Sequence, residues 1–239
     1  MKTTRLLTLF TALVLALSAY AHDFQSGDLY YNITSNKAPY TVEVTYQSGV
    51  DSLSSTYLGL TSANIPSTVS YDGKTYSVKS IGFWAFKGCS GLTSISIPSS
   101  VKSIEYEAFS GCTGLTSIAI PSSVKSIGSG AFDGTSWFNS KPDGLVNIIN
   151  NVLYQYKGTM PNNTSLTIAD GTVAISSGVF INCPGLTSIT IPASVKSVED
   201  GFISGWIGLQ EIVIPRKTTA KFLKSGLSRF KHLFVEKDI

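Results

Sequence analysis

Between residues 65 and 215 the hydrophobic positions of this chain return at a fixed interval. Val78-Lys79-Ser80-Ile81 recurs as Val101-Lys102-Ser103-Ile104, Val124-Lys125-Ser126-Ile127 and Val195-Lys196-Ser197-Val198. Interleaved with it run Gly91-Leu92-Thr93-Ser94-Ile95-Ser96-Ile97-Pro98, Gly114 to Pro121 and Gly185 to Pro192, with a worn copy from Gly208 to Pro215. The register residues Ile81, Ile104, Ile127, Ile175 and Val198 are separated by steps of 23, 23, 48 and 23. The long step is two periods plus two residues, so one coil there is degenerate or carries an insertion.

One such unit cannot bury its apolar side, whereas stacked units share a continuous core. Leu92, Ile95 and Ile97 are expected to point inward, and Pro98, Pro121, Pro192 and Pro215 to end the strands, because proline cannot donate to a ladder. Ala85-Phe86, Ala108-Phe109, Ala131-Phe132 and Val179-Phe180 fill the return side. A 23-residue period lies in the leucine-rich-repeat range. The expected fold is a leucine-rich-repeat solenoid, mainly β with little helix. It has a β-hairpin N-terminal cap and a short helix plus strand as C-terminal cap.

The flanking segments read as caps and an insertion. Asp28–Ile33 and Tyr40–Tyr46 alternate apolar and polar residues around a Ser/Asn/Pro turn, which predicts a hairpin. Asp72-Gly73 is a two-residue turn between Thr68–Tyr71 and Lys74–Val78. Leu145–Ile149 and Val152–Tyr156 form a third hairpin inside the long step, and Thr218–Ser225 a short helix stopped by Gly226. The boundaries are a signal segment 1–21, a cap 22–64, repeats 65–215 with a hairpin insertion about 136–165, and a cap 216–239.

The pattern L-T-S-I-x-I-P-x-S-V-K-S-I-G-x-x-A-F-x-G-C-x-G, carried by residues 65–215, resembles the BspA-like leucine-rich repeats of bacterial surface and secreted proteins, common in Bacteroidota. The flanks 24–46 and 215–236 resemble that family's caps. The resemblance implies a right-handed solenoid, export, and a role in adhesion or host contact, with no catalytic residues to carry over.

The first residues carry an address. Lys2 and Arg5 precede an apolar run from Leu6 to Leu17, too short to span a bilayer, and then Ala19-Tyr20-Ala21. Signal cleavage is expected after Ala21, the other reading being a buried N-terminal helix. The exported chain would be secreted, at the cell surface or in the periplasm, with no transmembrane span left. Removing Lys2 and Arg5 lowers the net charge from +3 to +1, which argues against a nucleic-acid partner. Seven basic residues against two acidic ones concentrate after Pro215.

Candidate chemistry is sparse. Charged residues make up only 14% of the chain, and it has three Cys and two His. Cys89 and Cys112 occupy the same place on neighbouring coils, close enough for a disulfide. Thr135 and Trp206 fill that slot elsewhere, which favours a space-filling role and free thiols. A copper chelate at His22 needs a second imidazole, and His232 lies in the opposite cap. There is no G-x-S-x-G elbow and no C-x-x-C pair. Glu105, Glu107, Glu199 and Asp200 read as surface charges in the turns of their coils. The chain is read as no enzyme, with no cofactor.

Two surface rows remain as candidate binding residues. Thr93, Ser94 and Ser96, Thr116 and Ser117, and Thr187, Ser188 and Thr190 make a lane of small hydroxyls, continued by Gln210, Glu211 and Val213. Lys79, Lys102, Lys125 and Lys196 make a basic column. It is read either as a solubilising edge or as a ladder for an anionic polysaccharide or acidic protein segment, host matrix included. Ser52 lies in Asp51-Ser52-Leu53, which resembles the Bacteroidota O-glycosylation acceptor. The reading is an exported binding or adhesion module facing a protein or glycan, the alternative being a passive structural component of the envelope.

Overall fold

In a computed structural model of the chain, residues 22–46, 57, 59–148, 151–203, 208–224 and 226–239 are described. The predicted N-terminal hairpin forms between β2 (Leu29–Ser35) and β3 (Thr41–Thr45), with β1 (Phe24–Ser26) on the outer edge of β2. Then follow β4 (Ser62–Asn64), β5 (Thr68–Tyr71) and β6 (Lys74–Ile81). β5 and β6 close on the Asp72-Gly73 turn, where Asp72 takes φ +48° and Gly73 +68°. β6 also lies parallel to β3, so the cap sheet runs directly into the repeat sheet. Tyr57 joins the two: its hydroxyl donates to the Thr45 carbonyl (2.5 Å), and its ring stacks 5.0 Å from Phe86.

From here each coil lays strands on its predecessor. β7 (Ser94–Ser96) pairs in parallel with β4, placing Ile95 against Ala63. β8 (Ser103–Ile104) and β9 (Ser126–Ile127) stack on β6, with Ile81, Ile104 and Ile127 in one register. Behind them Phe86, Phe109 and Phe132 are fully buried. Their rings are nearly parallel at 5.3 and 5.6 Å. Offset-stacked rings at this spacing add attraction to the burial of their area. The small residue the pattern demands before each Phe (Ala85, Ala108, Ala131) is also fully buried.

The long step is both a degenerate coil and an insertion. After α1 (Ser136–Asn139), β10 (Gly144–Ile148) and β11 (Val152–Lys157) form the predicted hairpin. β11 then pairs in parallel with β13 (Ala174–Ile175), which sets Leu153 opposite Ile175. Leu153 is the missing register residue, and it divides the 48-residue step into 26 and 22. The aromatic stack changes here: Phe132 meets Trp137 and Tyr154 edge-on, at 73° and 66°.

Beyond the insertion, β12 (Thr164–Thr167), β14 (Leu186–Thr190) and β16 (Glu211–Pro215) form one parallel sheet, and β15 (Ser197–Val198) extends β13 in another. The C-terminal lid is α2 (Thr219–Phe222), a 3-10 turn over Ser228–Leu233, and β17 (Phe234–Lys237), which pairs in parallel with β16. Gly226 lies too close to the preceding coil for a side chain, since a Cβ there would sit 2.4 Å from the Glu199 carbonyl oxygen. The fold is thus a mainly-β leucine-rich solenoid with little helix, as its periodicity predicted.

Phe109 is held between two stacked rings with no exposure to solvent. Phe109→Ala is expected to cost about 3–5 kcal/mol, from lost burial plus the cavity left behind. Chemical denaturation followed by circular dichroism measures this, and a loss below about 1 kcal/mol would mean the stack is not holding the coils together.

Candidate functional site

The lysine column is divided by the insertion. The Lys102 N–H donates to the Lys79 carbonyl at 2.7 Å and the Lys125 N–H to the Lys102 carbonyl at 2.8 Å, so these three residues share one row. Lys196 belongs to the second sheet, where its N–H reaches the Val173 carbonyl at 2.8 Å. Lys102 and Lys125 fold their ammonium groups back onto the Ser99 and Ser122 carbonyls of their own turns, at 3.2 and 2.8 Å. Both side chains remain exposed.

Between the two groups of lysines, Thr172-Val173-Ala174-Ile175 stands where other coils carry V-K-S-I or V-K-S-V. Here the seven-stranded sheet ends at β9 and the sheet of β11, β13 and β15 begins. A groove of about 500 Å³ opens at this junction. Val124, Val152, Val173 and Ala174 contribute apolar surface to it, Lys125 and Lys196 stand at either side, and Ser122 and Ser197 add hydroxyls. The groove was not anticipated from sequence, although its signal was present: the loss of Lys and Ser at 173 and 174 marks the coil whose surface turns apolar.

The hydroxyl lane is likewise interrupted. Ser94 and Ser96 are exposed on β7, and Thr93 Oγ1 donates to the Thr61 carbonyl at 2.9 Å. Thr116 and Ser117 are exposed but lie in a coil without a ladder of its own on this side. There the Trp137 N–H, from α1, takes the Leu115 carbonyl. Further along, Thr187 Oγ1 donates to Thr164, Thr190 is half-buried, and Ser188 is 9% exposed with its hydroxyl on Glu211 Oε1 at 2.9 Å. Val213 lies opposite Val235 of β17 and is buried. The lane is therefore two patches, because a helix intrudes on one coil and the C-terminal strand covers the last.

Glu105, Glu107 and Glu199 differ from their reading as surface charges: all three are half-buried, and only Asp200 is exposed. Glu105 and Glu199 occupy the position directly following V-K-S-I/V, where the coils approach closely: a Cβ on Gly128 would lie 2.4 Å from the Tyr106 backbone nitrogen, and one on Gly82 2.9 Å from the Glu43 carboxyl carbon. Glu43 accepts from Asn32 Nδ2 (3.2 Å), Glu105 from Ser103 Oγ (2.6 Å) and Glu199 from the Ser177 N–H (3.4 Å). Burial pushes Glu43 and Glu199 above the usual carboxylate range, and the charge of Glu105 adds to it in both cases. Glu107 is paired with the Lys87 ammonium.

The three cysteines are buried thiols. Cys112 Sγ donates to the Phe86 carbonyl at 3.0 Å and hydrogen-bonds with Cys89, which together with burial raises its pKa. Cys183 is pushed up to about 11 by burial. Thr135, in the Cys slot of its own coil, is the N-cap of α1, its hydroxyl oxygen accepting from the Phe138 N–H at 3.0 Å. The His22 ring lies 4.6 Å from that of Tyr30. Among the described residues no group of three His, Cys, Asp or Glu side chains is placed to hold a metal, and no helix is long and apolar enough to cross a membrane. The cleavage point after Ala21 and Ser52 lie outside the described residues.

Stacked coils, in-register isoleucines and capped ends define a leucine-rich-repeat protein. The model of the BspA type leucine rich repeat region matches in six copies over residues 57–157 and 147–225, so the chain belongs to that family. Similar solved structures include a leucine-rich repeat protein from Bacteroides ovatus (22% identity, 81% of this chain and 71% of that chain, TM-score 0.39). A leucine rich cell surface protein from Faecalibacterium prausnitzii is 25% identical, over 82% of this chain and 49% of that chain, with a TM-score of 0.45. The leucine rich repeat protein of T. pallidum is 23% identical over 90% of this chain and 81% of that chain, with a TM-score of 0.41. The chain thus spans about half the length of the Faecalibacterium protein. The curated proteins yielded no match.

Two outcomes follow. A thiol-specific reagent at pH 8 is expected to leave the native protein unlabelled and to find all three thiols once it is unfolded; a single thiol would mean that Cys89 and Cys112 are bonded. For Glu43, a folded-state pKa above the unfolded one means the carboxyl favours folding fully only below the unfolded pKa. That contribution is lost as pH rises through the folded value. Glu43→Gln, which keeps an oxygen for Asn32, should therefore stabilise the protein at pH 7 and be neutral near pH 3. Denaturation midpoints at the two pH values check the sign.

Proposed function

We propose that this chain is an exported, non-enzymatic binding module that adheres to a protein or glycan partner at a cell surface or host surface. The groove between Lys125 and Lys196 carries the reading, with the Lys79 and Lys102 row as its extension. An apolar floor with cationic sides is suited to an acidic, partly apolar segment or an anionic polysaccharide, the lysines giving attraction and the valines desolvation. A stacked solenoid holds these groups at fixed spacing, so little ordering accompanies binding. Membership of a repeat family built for contact supports this reading. The back-folded ammonium groups of Lys102 and Lys125 favour a second one, a passive envelope component whose lysines serve their own turns.

The test is binding of the purified protein to immobilised heparin, polygalacturonate and host matrix proteins at two salt concentrations. Saturable binding that weakens with salt and falls at least about tenfold in Lys125→Glu/Lys196→Glu supports the groove. Binding unchanged by the charge reversal, or none with folded protein, favours the structural role.

A further inference from the structure

The turn after each V-K-S-I strand follows one plan, and two coils depart from it. Its third residue is in the left-handed region throughout: Gly130, Gly178 and Gly201 have φ of +66°, +68° and +75°. Glycine is the residue for that conformation. Yet the equivalent residues in the first two coils are Trp84 and Glu107, at +57° and +52°. Side chains are strained there, and such strain persists where something else holds it. The same two coils carry the preceding residues Phe83 and Tyr106, 57% and 39% exposed, where later coils have Ser129, Ser177 and Asp200.

These residues form one braced shelf. The Phe83 and Tyr106 rings lie 6.3 Å apart and 39° from parallel. The Trp84 backbone N–H donates to the Tyr106 carbonyl at 3.2 Å. The Lys87 ammonium sits 5.2 Å from the centre of the Trp84 ring and pairs with the Glu107 carboxylate, which is also bonded by the Tyr106 hydroxyl. Lys87 and Glu107 form one ion pair, and among the described residues the only other charge acting on Tyr106 is the acidic Asp133, so the shelf presents rigid rings and polar edges with no excess of positive charge.

We infer that Phe83, Trp84 and Tyr106 form a binding site for a neutral glycan, separate from the lysine-flanked groove. Pyranose rings offer faces of C–H groups that pack on aromatic rings, and hydroxyls around their rims for groups such as Lys87 and Glu107. With its one cation already paired, the shelf lacks the attraction an anionic partner needs. Size points the same way: the exposed parts of the two rings amount to about 200 Å², against roughly 800 Å² per partner in an ordinary protein interface. A narrow chain of sugars lying along the solenoid axis fits two rings in a row.

The test is titration of the purified protein with neutral hexasaccharides (cello-, malto-, manno- and xylo-series), followed by Trp fluorescence and calorimetry. Saturable, salt-insensitive binding by at least one series is expected. Phe83→Ser/Tyr106→Ser should weaken it at least about tenfold. Ile181→Ser, at an exposed residue of another coil, and Lys125→Glu/Lys196→Glu should leave it unchanged. All variants must keep the native circular dichroism spectrum; if the double serine variant unfolds, Tyr106→Ser alone takes its place. Failure of every series to bind, or binding that survives loss of the rings, overturns the inference. So does a matrix protein whose binding needs Phe83 and Tyr106, which would make the shelf a protein contact. The groove variants separate this outcome from failure of the proposed function.

Discussion

Each coil depends on the next to cover its apolar side. A single unit exposes a leucine, several isoleucines or valines and a phenylalanine, and none can be buried within some twenty residues. Full burial of one such side chain stabilises by about 1.5–3 kcal/mol, and it is realised only when the neighbour is in register. The ladder Ile81–Ile104–Ile127 and the ring stack Phe86–Phe109–Phe132 are that register made visible. The two ends follow from the same requirement. Tyr57 and the N-terminal sheet close one face of the stack; Phe222, Leu227 and the β17 strand close the other.

The insertion is where this one-dimensional logic bends. Leu153 keeps the register while its strand also serves a hairpin, so the coil is continuous in the core yet discontinuous at the surface. The buried clusters divide there, with Tyr154 packed on the first and Leu153 on the second. The interruptions in the middle of the surface rows have the same origin. The lysine column gives way to Val173, the hydroxyl lane is broken beside Leu115, and the groove opens between the two sheets. A repeat that never varied would present uniform rows; the irregular coil is what creates a concave feature.

Glu43 shows how a small residue at a repeat position shapes a distant residue's environment. Gly82 opens room for a carboxylate from the cap, more than thirty residues earlier in the chain, and the resulting burial raises its pKa. The reverse holds at Trp84 and Glu107, where large residues occupy a position that glycine fills more easily. Both arise where one layer of the stack, cap or coil, lies directly against the next.

Period, strand and turn chemistry were legible in the sequence because they are local or repeat at fixed spacing. The 23-residue step, the Asp72-Gly73 turn, the hairpins and the inward Leu92 each rest on residues a few positions apart or on equivalents in the next copy. The lysines and hydroxyls were visible as rows for the same reason. What only the tertiary structure decided was continuity and burial: that Leu153 supplies the missing register, that Ser188 is covered while Ser94 is not, and that Lys125 and Lys196 face one groove. Those facts depend on how a 48-residue step is distributed in space. A one-dimensional pattern fixes which coil a residue belongs to, and packing across coils fixes what that residue meets.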